Sequence, residues 1–174
     1  MESQVQKNDL TANDVLQLLR YDSDTGKLFW VSCRYQNFIG KEAGVVRKHG
    51  YRVIIINGFQ YLAHRLSWLV CFGVWPSGNI DHIDGNRLNN RIANLRIATH
   101  GQNIQNQHKA HARNKSGLLG VSWCKSHKKW RASIMVNGKP HNLGRHNSKE
   151  FAHQVYLEAK ARLHPFQTIS GAQI

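Results

Sequence analysis

Between Ile80 and Asn106 the chain reads IDHIDGNRLNNRIANLRIATHGQNIQN, a run of acids, amides and histidines with few competing features. Asp81 and His82 stand side by side, and a turn signal, Asp84-Gly85-Asn86, follows them. Asn94 precedes the strand-like Leu95-Arg96-Ile97, and Asn103 falls on a helix expected to begin near Thr99. These residue types suit phosphodiester hydrolysis. That reaction needs a base to take a proton from water, a cation to stabilise charge on the phosphorane and leaving oxygen, and a framework that holds the base. Hard divalent cations prefer oxygen donors, which an Asp carboxylate and an Asn carbonyl provide, and an adjacent His can act as base without displacing the ion. Neighbouring side chains on a strand point to opposite faces, so Asp81 and His82 can serve different partners. Taken singly, each of these residues is an ordinary turn former. The spacing of the whole set is what points to a site.

That spacing, Asp-His, eleven residues, Asn, eight residues, Asn, resembles the HNH (ββα-metal) nuclease motif in the variant whose final His is replaced by Asn. It is similar to the free-standing phage and intron-encoded homing endonucleases. His64-Arg65-Leu66, Asp84-Gly85-Asn86, Asn90 and Asn94-Leu95-Arg96 fit the same family, so the resemblance covers residues 20–108. It implies that Asp81 is a metal ligand, His82 the general base, and Asn94 a brace for the loop that orients His82. Asn103 would be the second protein ligand. His100, three residues earlier on the same helix face, is the alternative. The implied cofactor is one divalent cation, Mg²⁺, with Mn²⁺ as the other choice. Arg87, Arg91 and Arg96 either contact DNA phosphates or are solvated. His64 is read as structural, a satisfied histidine at a helix end.

The elements that must position these residues can also be read. Thr11 is a plausible helix N-cap with Asp14 three residues on, and Val15, Leu16, Leu18 and Leu19 supply the apolar face. Asp24-Thr25-Gly26 makes a turn before a strand-like Leu28 to Val31. The β-branched run YRVIIIN, bracketed by Gly50 and Gly58, has the length of a buried strand. Asn57-Gly58 signals a type I′ hairpin, so Phe59 to Ala63 should return antiparallel. His64 to Phe72 reads as a helix ended by Gly73 and Pro76.

Beyond the polar stretch Gln105 to Ser116, three short strands are expected at Gly120–Cys124, Trp130–Val136 and His141–Leu143, the last two joined by Asn137-Gly138. A helix follows, with Asn147 as N-cap, Glu150 at the capping-box offset and Pro165 as its stop. Phe151, Ala152, Val155, Tyr156, Ala159 and Leu163 form its apolar stripe. Period-2 alternation sets Ala132, Ile134 and Val136 toward that stripe and Arg131, Ser133 and Met135 on the opposite face.

Gly120-Val121, Trp123, Lys128-Lys129-Trp130-Arg131-Ala132, Ile134, Asn137-Gly138-Lys139 and Leu143-Gly144 resemble an AP2 DNA-binding domain over residues 113–165. The resemblance implies a three-stranded sheet entering the major groove with a helix across its back. Ser122, Cys124 and Met135 stand where the plant AP2 pattern carries arginines. The contacts of Lys125, Lys128, Lys129, Arg131, Lys139 and Arg145 are therefore assigned mainly to phosphate. Neutralising about six phosphates would give a slope of log affinity against log salt near −5. Trp123 and Trp130 are read as packed aromatics.

Composition agrees with a polyanion partner. In 174 residues there are 24 Lys and Arg against 10 Asp and Glu, a formal charge of +14. Residues 111–174 hold 11 of the basic side chains and only 2 acids. No unbroken apolar run approaches the roughly 20 residues that span a bilayer, and no signal stretch is expected. Cys33, Cys71 and Cys124 form no CxxC pair, which excludes a cysteine-built zinc ribbon. The expected class is α+β: an HNH nuclease domain with an N-terminal helix and hairpin over residues 1–108, a linker at 109–116, an AP2-like domain at 117–166 and a tail at 167–174. The expected partner is double-stranded DNA, with no membrane and no obligate protein partner, in a cytoplasmic setting (the host cytosol if phage-encoded). A non-catalytic DNA-binding regulator with a vestigial motif is the rival reading.

Overall fold

Thr11 opens the first helix as its side-chain chemistry requires. Its Oγ1 accepts from Asp14 N, and the Asp14 carboxylate accepts from Thr11 N, a reciprocal capping box. Helix α1 (Ala12–Leu18) turns directly into β1 (Leu19–Asp22), which pairs antiparallel with β2 (Lys27–Trp30). The structure, a computed structural model, describes residues 10–107, 110–111, 114–164 and 166. The expected tail at 167–174, the helix stop at Pro165 and linker positions 109, 112 and 113 lie outside the described residues.

After a one-turn 3₁₀ helix at Gln36–Phe38 come β3 (Val45–Val46), β4 (Arg52–Ile56) and β5 (Phe59–Leu62), hydrogen-bonded in that order. Asn57 (φ 51°) and Gly58 (φ 81°) both adopt positive φ, the geometry of the expected type I′ turn. Helix α2 (Ala63–Phe72) begins one residue earlier than its sequence signal and ends on Gly73 in the left-handed region. The core gathers Val15, Leu19, Leu28, Ile54, Ile56, Leu66 and Leu69, all at most 2% exposed. Alternation along β4 places Ile54 and Ile56 inward, and the 3.6-residue period of α2 does the same for Leu66 and Leu69. Strands β6 (Asn79–His82) and β7 (Leu95–Ala98) form a separate antiparallel pair, with a 3₁₀ turn at Ile92–Asn94 in their connection.

The chain divides into two compact units between Ala98 and Thr99. The second unit opens with α3 (His100–Gln105), capped reciprocally by Thr99 and Gln102. It continues through β8 (Val121–Cys124), β9 (Lys129–Val136), β10 (Lys139–His146) and α4 (Lys149–Leu163). The sheet order is β10-β9-β8, with Ala132 and Ile134 buried beneath α4. Gly120 is required where it stands: its φ is +70°, and a Cβ there would lie 1.9 Å from the Tyr156 ring.

Three local expectations are corrected. The N-cap of α4 is Ser148, not Asn147, because the Ser148 Oγ is the acceptor that reaches the Phe151 N–H. The buried face of α4 runs through Ala152, Tyr156, Ala159 and Lys160, while Phe151, expected in the apolar stripe, is 58% exposed. The last strand is longer than His141–Leu143, since the register shift between Asn142 and Arg145 lets pairing resume beyond Gly144.

Candidate active site

Antiparallel register places Asp81 opposite Arg96 and His82 opposite Leu95. Asp81 is 7% exposed, and a carboxylate removed from water needs a counter-charge. Arg96 supplies it: Nε and Nη2 both donate to Asp81 Oδ2, at 2.9 and 2.8 Å. His82 is 4% exposed, and Asn90 Oδ1 lies 2.9 Å from its Nε2. An acceptor oxygen there requires the proton on Nε2, which puts the imidazole lone pair on Nδ1.

Aromatic rings fix the plane of that imidazole. The His64 ring meets it edge-on at 5.1 Å between centroids, and Tyr51 packs 6.1 Å from His82 and 5.3 Å from His64. Burial lowers the affinity of His82 for a proton. The Asn90 hydrogen bond and the charges of Asp84 and Asp81 partly oppose this, and the net pKa lies below the usual histidine range. His82 is therefore neutral, and able to accept a proton, at neutral pH. Burial, followed by the charges of His82 and Arg65, depresses His64 much further, to about 3.

The connection between β6 and β7 is a braced loop. Asn94 Oδ1 accepts from Asp84 N at 3.0 Å, its Nδ2 donates to Asp84 Oδ1 and to Asn89 O, and its carbonyl accepts from Ile83 N. Burial raises the Asp84 carboxyl, but hydrogen bonds from Asn89, the Asn86 amide and Asn94 outweigh it and hold the group below the ordinary carboxylate value. From behind, the Tyr21 hydroxyl donates to Asn90 O and accepts from Ile92 N, both at 3.0 Å. Arg65 on α2 donates to Gly78 O where the chain enters β6. Gly26 (φ +71°) lies directly under the loop, and a Cβ on it would sit 2.2 Å from Arg91 N and 2.5 Å from the Asn90 carbonyl carbon. Gly26→Ala should accordingly destabilise the first unit by about 3 kcal/mol, combining left-handed strain with overpacking. Urea unfolding of the variant beside the parent protein measures it; an unchanged midpoint would show that the loop yields without cost.

The predicted residues are thus distributed unevenly. Asp81, His82 and Asn94 come together in one strand–loop–strand element, and Asn90 joins them as the direct partner of His82. Asn103, half-buried, and His100, exposed, both lie on α3 and belong to the second unit. Arg87 donates to His49 O at 2.6 Å, Arg91 donates through Nε to Asp24 O, and Arg96 pairs with Asp81. In the second unit Lys125, Lys128, Lys129, Arg131, Lys139 and Arg145 are all exposed. Sequence reading missed Tyr51 altogether and read His64 as a structural helix-end histidine, which it is, with a ring contact to His82 in addition. Only the run Gly50-Tyr51 before a strand and the His64-Arg65 pair could have hinted at either. Among the described residues no cluster of three or more His, Cys, Asp or Glu is arranged to hold a metal. Asp81 is a hard oxygen donor of the kind that alkaline-earth cations accept.

A family model described as HNH endonuclease matches residues 61–105, which spans β5 through α3. Protein 3.8 of Escherichia phage T7 is 39% identical over 94 residues, covering 53% of this chain and 77% of that protein. An uncharacterized HNH endonuclease of Acanthamoeba polyphaga mimivirus is 33% identical over 132 residues, covering 75% of this chain and 67% of that protein. No solved structure matches.

Proposed function

This chain belongs to the HNH endonuclease family, and from that premise we propose that it is a site-specific, homing-type DNA endonuclease in which His82 is the general base of a metal-dependent phosphodiester hydrolysis. The observation that carries this reading is the placement of His82: buried, and held through Nε2 by Asn90 in a loop braced by Asn94. Such an imidazole takes the proton from the attacking water on Nδ1. Its orientation is set before substrate arrives, so little reorganisation is needed during the reaction.

HNH nucleases generally use a divalent cation, and Mg²⁺ fits the hard carboxylate of Asp81 best, with Mn²⁺ as a substitute. By the motif, Asn103 would add a carboxamide oxygen, with His100 as the alternative. When bound, the ion would stabilise negative charge on the phosphorane and the leaving oxygen. Arg96 fixes the Asp81 carboxylate through Oδ2, so the side chain is already directed when DNA is bound. The cation should be held weakly by so few protein groups and more firmly once DNA phosphate contributes.

The second unit supplies affinity for double-stranded DNA in this reading, as an AP2-like module. Its support is the sheet face carrying Lys129, Arg131 and Arg145, with Arg145 directly across from Arg131 in the register. The homing assignment rests on the pairing of the two modules, an association of family type. Supercoiled plasmid incubated with the protein and Mg²⁺ should be nicked or linearised, and EDTA should abolish the reaction. Plasmid left intact in both tubes, while still bound, would make the chain a DNA-binding regulator without catalysis.

A further inference from the structure

The three arginines of the motif segment, Arg87, Arg91 and Arg96, all spend donors on the protein itself. Arg96 neutralises Asp81, Arg91 is tied to the β1–β2 turn at Asp24, and Arg87 reaches back to the β3–β4 turn. Substrate phosphates beside His82 must therefore find much of their counter-charge elsewhere on the first unit. The β3–β4 turn, Arg47-Lys48-His49-Gly50, has the required properties. Arg47, Lys48 and His49 are exposed, and neither Arg47 nor Lys48 makes an ion pair among the described residues.

A run of exposed cations is ordinarily a solvated surface, but this one is anchored to the catalytic loop. The turn closes on itself through Gly50 N to Arg47 O and Arg47 N to Tyr51 O. Arg87 then lies along it: Nη1 donates to His49 O, the guanidinium sits 4.8 Å over the Tyr51 ring, and a Cβ on Gly50 would lie 3.6 Å from its Cδ. Tyr51 in turn packs against His82 and His64. One aromatic ring thus separates the turn from the imidazole. Charge held rigidly at that point can set the register of a strand, whereas mobile charge would only raise general affinity.

We infer that the β3–β4 turn is a second, unassigned DNA-backbone site, in which Arg47 and Lys48 grip phosphates flanking the scissile bond while Arg87 and Tyr51 fix the turn against His82. The inference rests on the nuclease reading above and adds to it a surface that fixes which phosphodiester reaches His82. The test uses the full chain and a short mixed-sequence duplex, with affinity measured by fluorescence anisotropy over a range of salt. The double variant Arg47→Gln/Lys48→Gln should flatten the slope of log affinity against log salt by about 2 and weaken binding about 10- to 100-fold near 0.1 M salt. A double variant of equal charge, Arg34→Gln/Lys41→Gln, should change the slope by less than half as much. Equal effects of the two doubles, or no effect of the first, would overturn the assignment of the turn. A parent protein that binds this duplex and nicks plasmid while the Arg47/Lys48 double stays indistinguishable from it overturns only this inference. A parent protein without salt-dependent DNA binding removes the nuclease reading along with it.

Discussion

His82→Ala is expected to keep duplex binding and to lower the rate of plasmid nicking by about 10²–10⁴-fold, the usual contribution of a positioned general base. The loss follows from geometry. In the proposed mechanism Nε2 is hydrogen-bonded to Asn90 and Nδ1 takes up the proton, and His64 cannot substitute. The His64 ring meets His82 edge-on and sits in surroundings that hold its pKa near 3, too poor a base to activate water. The substitution also leaves Asn90 Oδ1 without its donor and opens space beside Tyr51 and His64, which costs about 1–3 kcal/mol of stability. Thermal unfolding and duplex affinity measured on the same preparation separate that cost from the catalytic one. Nicking at the parental rate by a folded variant would remove His82 from the mechanism.

What could be read in the sequence divides along a physical line. That Asp81, His82 and Asn94 would share one strand–loop–strand element was legible because they lie at short spacing around a turn signal, and β-pairing then brings the two ends of that spacing together. Thr11, Thr99 and the Asn57-Gly58 turn were legible because a cap or a turn is decided by side chains within three or four residues. The partners of the site were not. Tyr51 and His64 reach His82 across some 20 to 30 positions of chain, and Tyr21 reaches the Asn90 carbonyl across 69. Such contacts are set by how β4, α2 and β6 pack, and no local pattern encodes them. The same reason explains the motif arginines. Their charge and spacing suit phosphate, but whether a guanidinium faces solvent or a neighbouring carbonyl depends on Asp24 and His49, which lie 67 and 38 residues away. Asn147 and Ser148 were both capable N-caps, and one residue of helix phase decided between them.

Removing three charges from the open face of the second unit should have the next largest effect. In the register, Arg145 lies opposite Arg131, and Lys129 is two residues from Arg131 on the same face of β9. Like charges directly across a sheet repel and lower stability, and the acids of this unit, Glu150 and Glu158, both lie on α4. A surface that accepts this repulsion with no carboxylate paired to these cations among the described residues is matched to an external polyanion. The triple variant Lys129→Gln/Arg131→Gln/Arg145→Gln should therefore flatten the salt slope by about 2.7 and weaken duplex binding about 10²- to 10³-fold near 0.1 M salt. Folding should move the other way: relief of the cross-strand repulsion raises the unfolding midpoint or leaves it unchanged. Opposite signs for binding and stability identify a surface whose charge serves a ligand. If the variant bound DNA with the parental slope, or unfolded more readily while binding normally, those cations would belong to the architecture of the sheet, and affinity for DNA would have to reside elsewhere in the chain.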